Sequence, residues 1–156
     1  MGIEIERKFL VKNDEWRGCG TPLALKQGYL SSNPDRIVRV RIEGETAKLT
    51  IKGRVSGATR GEWEYPVPME DANRFLNELC ERPLIEKTRH RIPYGGLVWE
   101  VDEFFGDNAG LVLAEIELES ESQEFSMPDW AGEEVTQDAR YFNSNLLRHP
   151  FTRWPR

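Results

Sequence analysis

The chain has 156 residues, a net charge of −6 and a pI of about 5.1, enough for one domain with a buried core and the wrong overall sign for a nucleic-acid partner. Its two cysteines, Cys19 and Cys80, have no CxxC or Cys/His spacing, which argues against a thiolate zinc site and fits a reducing cytoplasm. Charge begins at Glu4 and no apolar run nears the ~18 residues of a membrane span, so neither a signal peptide nor a membrane partner is expected.

The chain opens MGIEIERKFLV, and residues 2–11 read as a strand. Alternate strand residues share a face, so Glu4, Glu6 and Lys8 point one way, with the two carboxylates about 7 Å apart at a rise of ~3.3 Å per residue. Further strands are expected at 23–31, 36–43, 46–54, 60–67, 85–94, 97–105 and 112–121. They are joined by turn chemistry such as NPD at 33–35, EGE at 43–45 and PYGG at 93–96. MEDANRFLNELCERP, 69–83, places Ala72, Phe75, Leu76 and Leu79 at helical spacing and stops at Pro83. PDWAG, 128–132, reads as a short helical turn. Thr136 is positioned to cap a last helix with an apolar stripe of Ala139, Phe142 and Leu146. Strands joined mostly by hairpins predict a mainly β (α+β) single domain over residues 1–156. Its architecture is a closed eight-stranded antiparallel barrel with two or more helices packed outside.

Sorting each strand by face gives same-face sets of charge. Glu4/Glu6, Glu62/Glu64 and Glu115/Glu117/Glu119 are acidic; Arg39/Arg41, Lys48/Lys52 and Lys87/Arg89/Arg91 are basic; Glu100 joins Asp102. An ordinary wet sheet face also carries charge, but it mixes signs, and serine, threonine and asparagine share it. Stacked like charges repel when water is partly excluded, a cost a ligand would remove. Hard carboxylate oxygens suit Mg2+ or Mn2+, and arginine forks and lysine point charges suit phosphates. Both on one face suggest a metal–polyphosphate complex. If the sheet closes, that face becomes a charged lumen and the apolar face packs outward.

EIERKF resembles the ExExK signature of the CYTH superfamily, the triphosphate tunnel metalloenzymes. QGYL at 27–30, RVR at 39–41, LTIKG at 49–53 and GEWEYPV at 61–67 resemble further family blocks. So do EKTRHR at 86–91, WEVDEFFG at 99–106, LAEIELES at 113–120 and VTQDARYFNSNL at 135–146. The likeness runs along nearly the whole chain and is closest to the short bacterial members. It implies a barrel-shaped tunnel and metal-dependent chemistry on triphosphates: inorganic, thiamine or RNA triphosphatase, or class IV adenylyl cyclase. It implies Glu4, Glu6, Glu115 and Glu117 as metal ligands. Glu62, Glu64 and Asp102 become further acidic tunnel residues, and Lys8, Arg39, Arg41, Lys52, Lys87 and Arg89 a phosphate clamp. The late lysine of some thiamine triphosphatases is missing; Arg140 and Arg148 stand in that region.

Phosphoryl transfer needs charge neutralisation and alignment more than covalent help, and a metal can activate the attacking water. No P-loop is present and no Ser-His-Asp set can be assembled; His90 has the parity of the outer face. Tyr29 shares parity with Gln27, which aims its phenol into the lumen toward Lys8. The expected activity is hydrolysis of inorganic tripolyphosphate to pyrophosphate and phosphate, with cyclase, thiamine or nucleoside triphosphatase and a non-catalytic polyphosphate-binding module as alternatives. An exposed outer barrel face could pair two copies as a homodimer.

Overall fold

The structure, a computed structural model, describes residues 2–155. Nine strands run β1 Gly2–Val11, β2 Thr21–Asn33, β3 Arg36–Glu43, β4 Thr46–Lys52, β5 Thr59–Pro66, β6 Ile85–Tyr94, β7 Leu97–Phe104, β8 Val112–Glu117 and β9 Ala131–Glu134. They pair antiparallel in the order β5-β4-β3-β2-β6-β7-β8-β1-β9. β5 also pairs with β1, from Gly2↔Glu62 to Ile5↔Thr59, so the first eight strands close a barrel and leave the second half of that β1 edge to β9. The β6–β7 hairpin turns on Gly95 and Gly96, at φ +61° and +81°, the pair of positive φ values a two-residue turn matching the strand twist requires.

β1 has two partners on one side. Its first half pairs with β5 and its second half with β9, through Phe9↔Glu134 and Val11↔Ala131. Between them Glu6 N donates to Ala58 O at 3.1 Å, and Lys8 N donates to the Thr136 hydroxyl at 3.0 Å. A side chain thus bridges the seam where the strand ladder changes hands.

The apolar faces point outward, as alternation requires. Phe9, Ile92, Trp99, Val101, Ala114 and Ile116 form one core, covered by Trp16 and by Phe125 and Trp130 of the chain after β8. Helix α1, Met69–Arg74, and the π-helical turn Phe75–Leu79 cover β2–β4 by packing Ala72 and Leu76 on Val40 and Ala47. A third cluster lies across one end of the barrel. Ile37, Ile85, Phe104 and Leu113, which have lumen parity, meet Val135, Tyr141, Leu146 and Leu147 of the C-terminal segment.

Four local expectations are corrected. The helix over 69–83 ends at Leu79, and its π turn shifts the register by one residue, so Leu79 leaves the apolar stripe and is 61% exposed. Of the helical turn predicted over 128–132, the first part does turn, with Ala131 N donating to Pro128 O at 3.1 Å, but Ala131 and Gly132 instead open β9, where unpaired strand edge of β1 was available. The last helix is broken: a 3-10 turn spans Ala139–Tyr141 and α2 spans Asn143–Arg148, with extended backbone at Phe142 between them. Thr136 caps neither, because its hydroxyl serves Lys8 N and Glu134. The strand over 112–121 stops at Glu117, which leaves Glu119 outside the sheet. Among the described residues no helix is long and apolar enough to cross a membrane.

Candidate functional site: the charged tunnel

Directly opposed residues of an antiparallel pair share a face, so the register reads out the lumen. Glu6 faces Glu117 and Lys8 faces Glu115; Glu115 in turn opposes Glu100. Asp102 faces Arg89, Gln27 faces Arg41, Tyr29 faces Arg39, and Lys52 faces Glu62. All of these but Asp102 and Gln27 line a cavity of about 240 Å³. Of the expected residues, Glu4, Glu6, Lys8, Tyr29, Arg39, Arg41, Lys52, Glu62, Glu64, Arg89, Glu115 and Glu117 line it. Lys87 and Asp102 do not. They lie one layer deeper with side chains 0% exposed, Lys87 Nζ 2.7 Å from Asp102 Oδ2. Lys48 and Arg91 also reach the cavity.

The walls differ in sign. The acidic wall is β1 and β8. Burial first, then Glu115 and Glu4, pushes the Glu6 carboxyl well above the usual range, and it hydrogen-bonds Glu115. Burial works to raise Glu115 too, but Lys8, the Glu6 hydrogen bond and Arg89 outweigh it and hold Glu115 well below. Glu117 is raised by burial and by Glu4 and Glu100. Against its own burial, Glu4 is held down by Lys52, whose Nζ lies 3.1 and 3.2 Å from its two oxygens. The same ammonium is 3.4 Å from Glu62, which burial and Glu4 raise.

The basic wall is β2, β3 and β6. Arg89 donates to Asp102 from Nε and Nη2 at 2.8 and 2.9 Å, with Nη2 also 3.5 Å from Glu115. Burial opposes the charge on Asp102, yet Lys87 and Arg89 keep it below the usual carboxylate range. Burial brings Lys87 down to about 7 against the pull of Asp102. Burial, Arg39 and Arg89 bring Arg41 down to about 10. Arg39 Nη2 donates to Thr50 at 3.2 Å and sits 3.8 Å from Glu64.

Tyr29 is buried at the lumen, but Lys8 Nζ donates instead to the Tyr141 main-chain carbonyl at 3.2 Å and lies 5.8 Å from the Phe142 ring centre. The C-terminal segment therefore touches the site through Phe142 as well as packing. His90 stacks edge-on against Trp16 outside the lumen, with ring centres 5.0 Å apart.

Several lining residues escaped the sequence reading. Arg60 faces Glu4 across β1 and β5 and donates from Nη2 to Gly53 O at 2.8 Å. Its parity with Glu62 and Glu64 was the available signal. Glu43 shares parity with Arg39 and Arg41, and its carboxylate holds Arg41 at 3.3 Å. Val55, Gly57 and Ala58, from the loop between β4 and β5, and Thr136 and Asn143 carried no periodic signal.

The carboxylate donors suit a hard divalent cation. Glu6 and Glu117 are directly opposed, and Glu6 is pressed toward its neutral form by burial and then by neighbouring acids, whose repulsion a cation relieves. Among the described residues no three acids, imidazoles or thiols are already converged as a finished metal site. Glu4 in particular is occupied by Lys52.

A profile of the CYTH domain matches residues 2–149. The chain belongs to the CYTH family. Two relatives are named inorganic triphosphatase. One, from Acetivibrio thermocellus, is 48% identical over 97% of both chains; the other, from Nitrosomonas europaea, is 40% identical over 92% of this chain and 95% of its own. A crystal structure of an inorganic triphosphatase superposes with a TM-score of 0.66 at 35% identity, covering 92% of this chain and 97% of that one. A putative adenylate cyclase from Bacillus halodurans has the same fold, with a TM-score of 0.61 at 18% identity over 78% of this chain and 84% of its own. The CYTH barrel is therefore the frame on which these charges are set.

Proposed function

We propose that this CYTH protein is a metal-dependent phosphoanhydride hydrolase that cleaves inorganic tripolyphosphate to pyrophosphate and phosphate. The observation that carries the reading is the division of one small cavity into an acidic wall, Glu4, Glu6, Glu115 and Glu117, and a basic wall, Arg39, Arg41 and Arg89, with Lys8 and Lys52 between them. Relatives at 48% and 40% identity that bear the name inorganic triphosphatase support the same choice over cyclase or thiamine chemistry. The cavity has cations for three phosphates in Lys8, Arg39, Arg41, Lys52 and Arg89.

In this reading the four glutamates hold Mg2+ or Mn2+, which supplies charge neutralisation and water activation when bound. Arg39, Arg41 and Arg89 grip phosphate oxygens with the planar fork that lysine lacks. Lys52 leaves Glu4 for the substrate, so one ammonium serves the carboxylate in the free protein and the phosphate in the complex. Lys8, fixed by the Tyr141 carbonyl, stabilises charge developing beside Glu115, and Tyr29, opposite Arg39 on β2, borders the same cavity. Glu62 and Glu64 steady Lys52 and Arg39. Asp102 and Lys87 act from behind the wall. Two unbridged thiols suit a cytoplasmic setting. Pairing of two copies would use Ile3, Ile51, Trp63 and Tyr65, apolar and exposed around β5; sedimentation velocity decides it.

The test is phosphate release from tripolyphosphate and, in parallel, ATP, each with Mg2+, Mn2+ or EDTA. Metal-dependent release from tripolyphosphate well above ATP, lost in Glu6→Gln and Glu117→Gln, is the expected result. Cyclic AMP from ATP, or tight tripolyphosphate binding with no hydrolysis under any metal, would overturn it.

A further inference from the structure

Two arginines of the basic wall are fixed through the same atom by chemically different partners. Arg89 Nε donates to a carboxylate, Asp102, at 2.8 Å. Arg41 Nε donates to an amide oxygen, Gln27 Oε1, at 2.7 Å. Asp102 and Gln27 are both 0% exposed and neither lines the cavity, while both arginines do. Each partner therefore stands behind its arginine and acts through it.

The amide's orientation is not arbitrary. Arg41 has only donors, so Gln27 must turn Oε1 toward it, which leaves Nε2 as a buried donor without a protein acceptor. Glu43 is the one carboxylate in an ion pair with Arg41 among the described residues, on Nη1 at 3.3 Å, and Nη2 has no hydrogen-bond partner there. A glutamate at position 27 would fill nearly the same volume and make a stronger, charge-assisted bond to a buried guanidinium hemmed in by Arg39 and Arg89. For folding alone, a carboxylate is the better partner. Asp102 follows that logic, since it serves two buried cations, Lys87 and Arg89.

We propose that Gln27 is a positioning residue whose neutrality is functional: it aims Arg41 into the lumen without cancelling its charge, so that a phosphate of the substrate supplies the anion. Arg41 then carries more of the electrostatic hold on the polyphosphate than Arg89, whose charge is already largely answered by Asp102, Glu100 and Glu115. This deepens the triphosphatase reading and rests on the cavity being an anion site.

The experiment compares wild type, Q27E and Q27M by calorimetric titration with tripolyphosphate in EDTA, by thermal unfolding, and by KM and kcat with metal present. Q27E is expected to melt no lower than wild type yet bind tripolyphosphate about tenfold or more weaker, with the loss mainly in KM. Q27M, which loses the acceptor but adds no charge, is expected to melt lower and lose less affinity than Q27E. Opposite movement of stability and binding in Q27E is what a purely structural residue would not produce. Q27E binding within twofold of wild type, or Q27M losing more affinity than Q27E, overturns the inference. Wild type that binds tripolyphosphate without cleaving it sinks the triphosphatase reading and leaves this one standing; wild type that does not bind it sinks both.

Discussion

Replacing Asp102 with asparagine removes the only carboxylate in an ion pair with Lys87 among the described residues, and both of its groups have side chains with no exposure. It also breaks the two-point grip on Arg89 Nε and Nη2. Breaking a buried pair from one side costs about 3–5 kcal/mol, because the remaining charge stays desolvated. For a chain of this size each kcal/mol lowers the melting temperature by about 2–4 °C, so Asp102→Asn should melt about 6–20 °C lower. The assay is thermal unfolding followed by circular dichroism at neutral pH in EDTA. Adding Lys87→Met removes the buried amine left without its partner, and the double variant should recover at least half of the loss. An Asp102→Asn protein that melts within about 2 °C of wild type would refute the reasoning, since it would mean that the two cations do not depend on this carboxylate.

Glu6→Gln should abolish phosphate release yet raise the melting temperature at pH 7–8, because burial and two neighbouring acids disfavour the charge it removes; parallel melting and activity curves check both halves. Lys87 titrates near 7 when folded and near its ordinary value when unfolded, so between those values the unfolded chain holds a proton the folded one lacks. Its contribution to stability therefore grows as pH rises above 7 and is lost as pH falls through it, and Lys87→Met should flatten that part of the melting-temperature profile. Arg60→Ala should raise KM for tripolyphosphate about tenfold with a smaller change in kcat, measured by steady-state phosphate release. An unchanged KM would leave its bond to the Gly53 carbonyl as its whole role.

The barrel and most of its lining were legible because a strand has a period of two. Once Glu4, Glu6 and Lys8 share a face, the same rule sorts Arg39, Arg41, Lys52, Arg89, Glu115 and Glu117, and the structure brings all of these around one cavity. Depth was not legible. Parity gives Asp102 and Lys87 the same standing as Glu115 and Arg89, but their side chains fill space behind the wall. Nor does alternation say which partner a charge will find: Lys8 meets the Tyr141 carbonyl, not Tyr29, because the C-terminal segment folds across that end of the barrel. β9 is four residues long and of low strand propensity, AGEE, and only the vacant edge of β1 makes it a strand. The π turn at Phe75–Leu79 has no pattern of its own to announce it.

The register of β1 also sets a timetable. Glu6 meets Glu117 and Phe9 meets Glu134, so β1 waits for two segments synthesised much later before it is paired along its length on both sides. The local hairpins β2–β3 and β3–β4, which carry Arg39, Arg41 and Lys52, can form long before that. A growing chain thus displays Arg39, Arg41 and Lys52, with Glu62 and Glu64 beside them, well before it gains Glu115 and Glu117. Until β8 arrives, polyanions meet an open sheet that lacks half of its acidic wall.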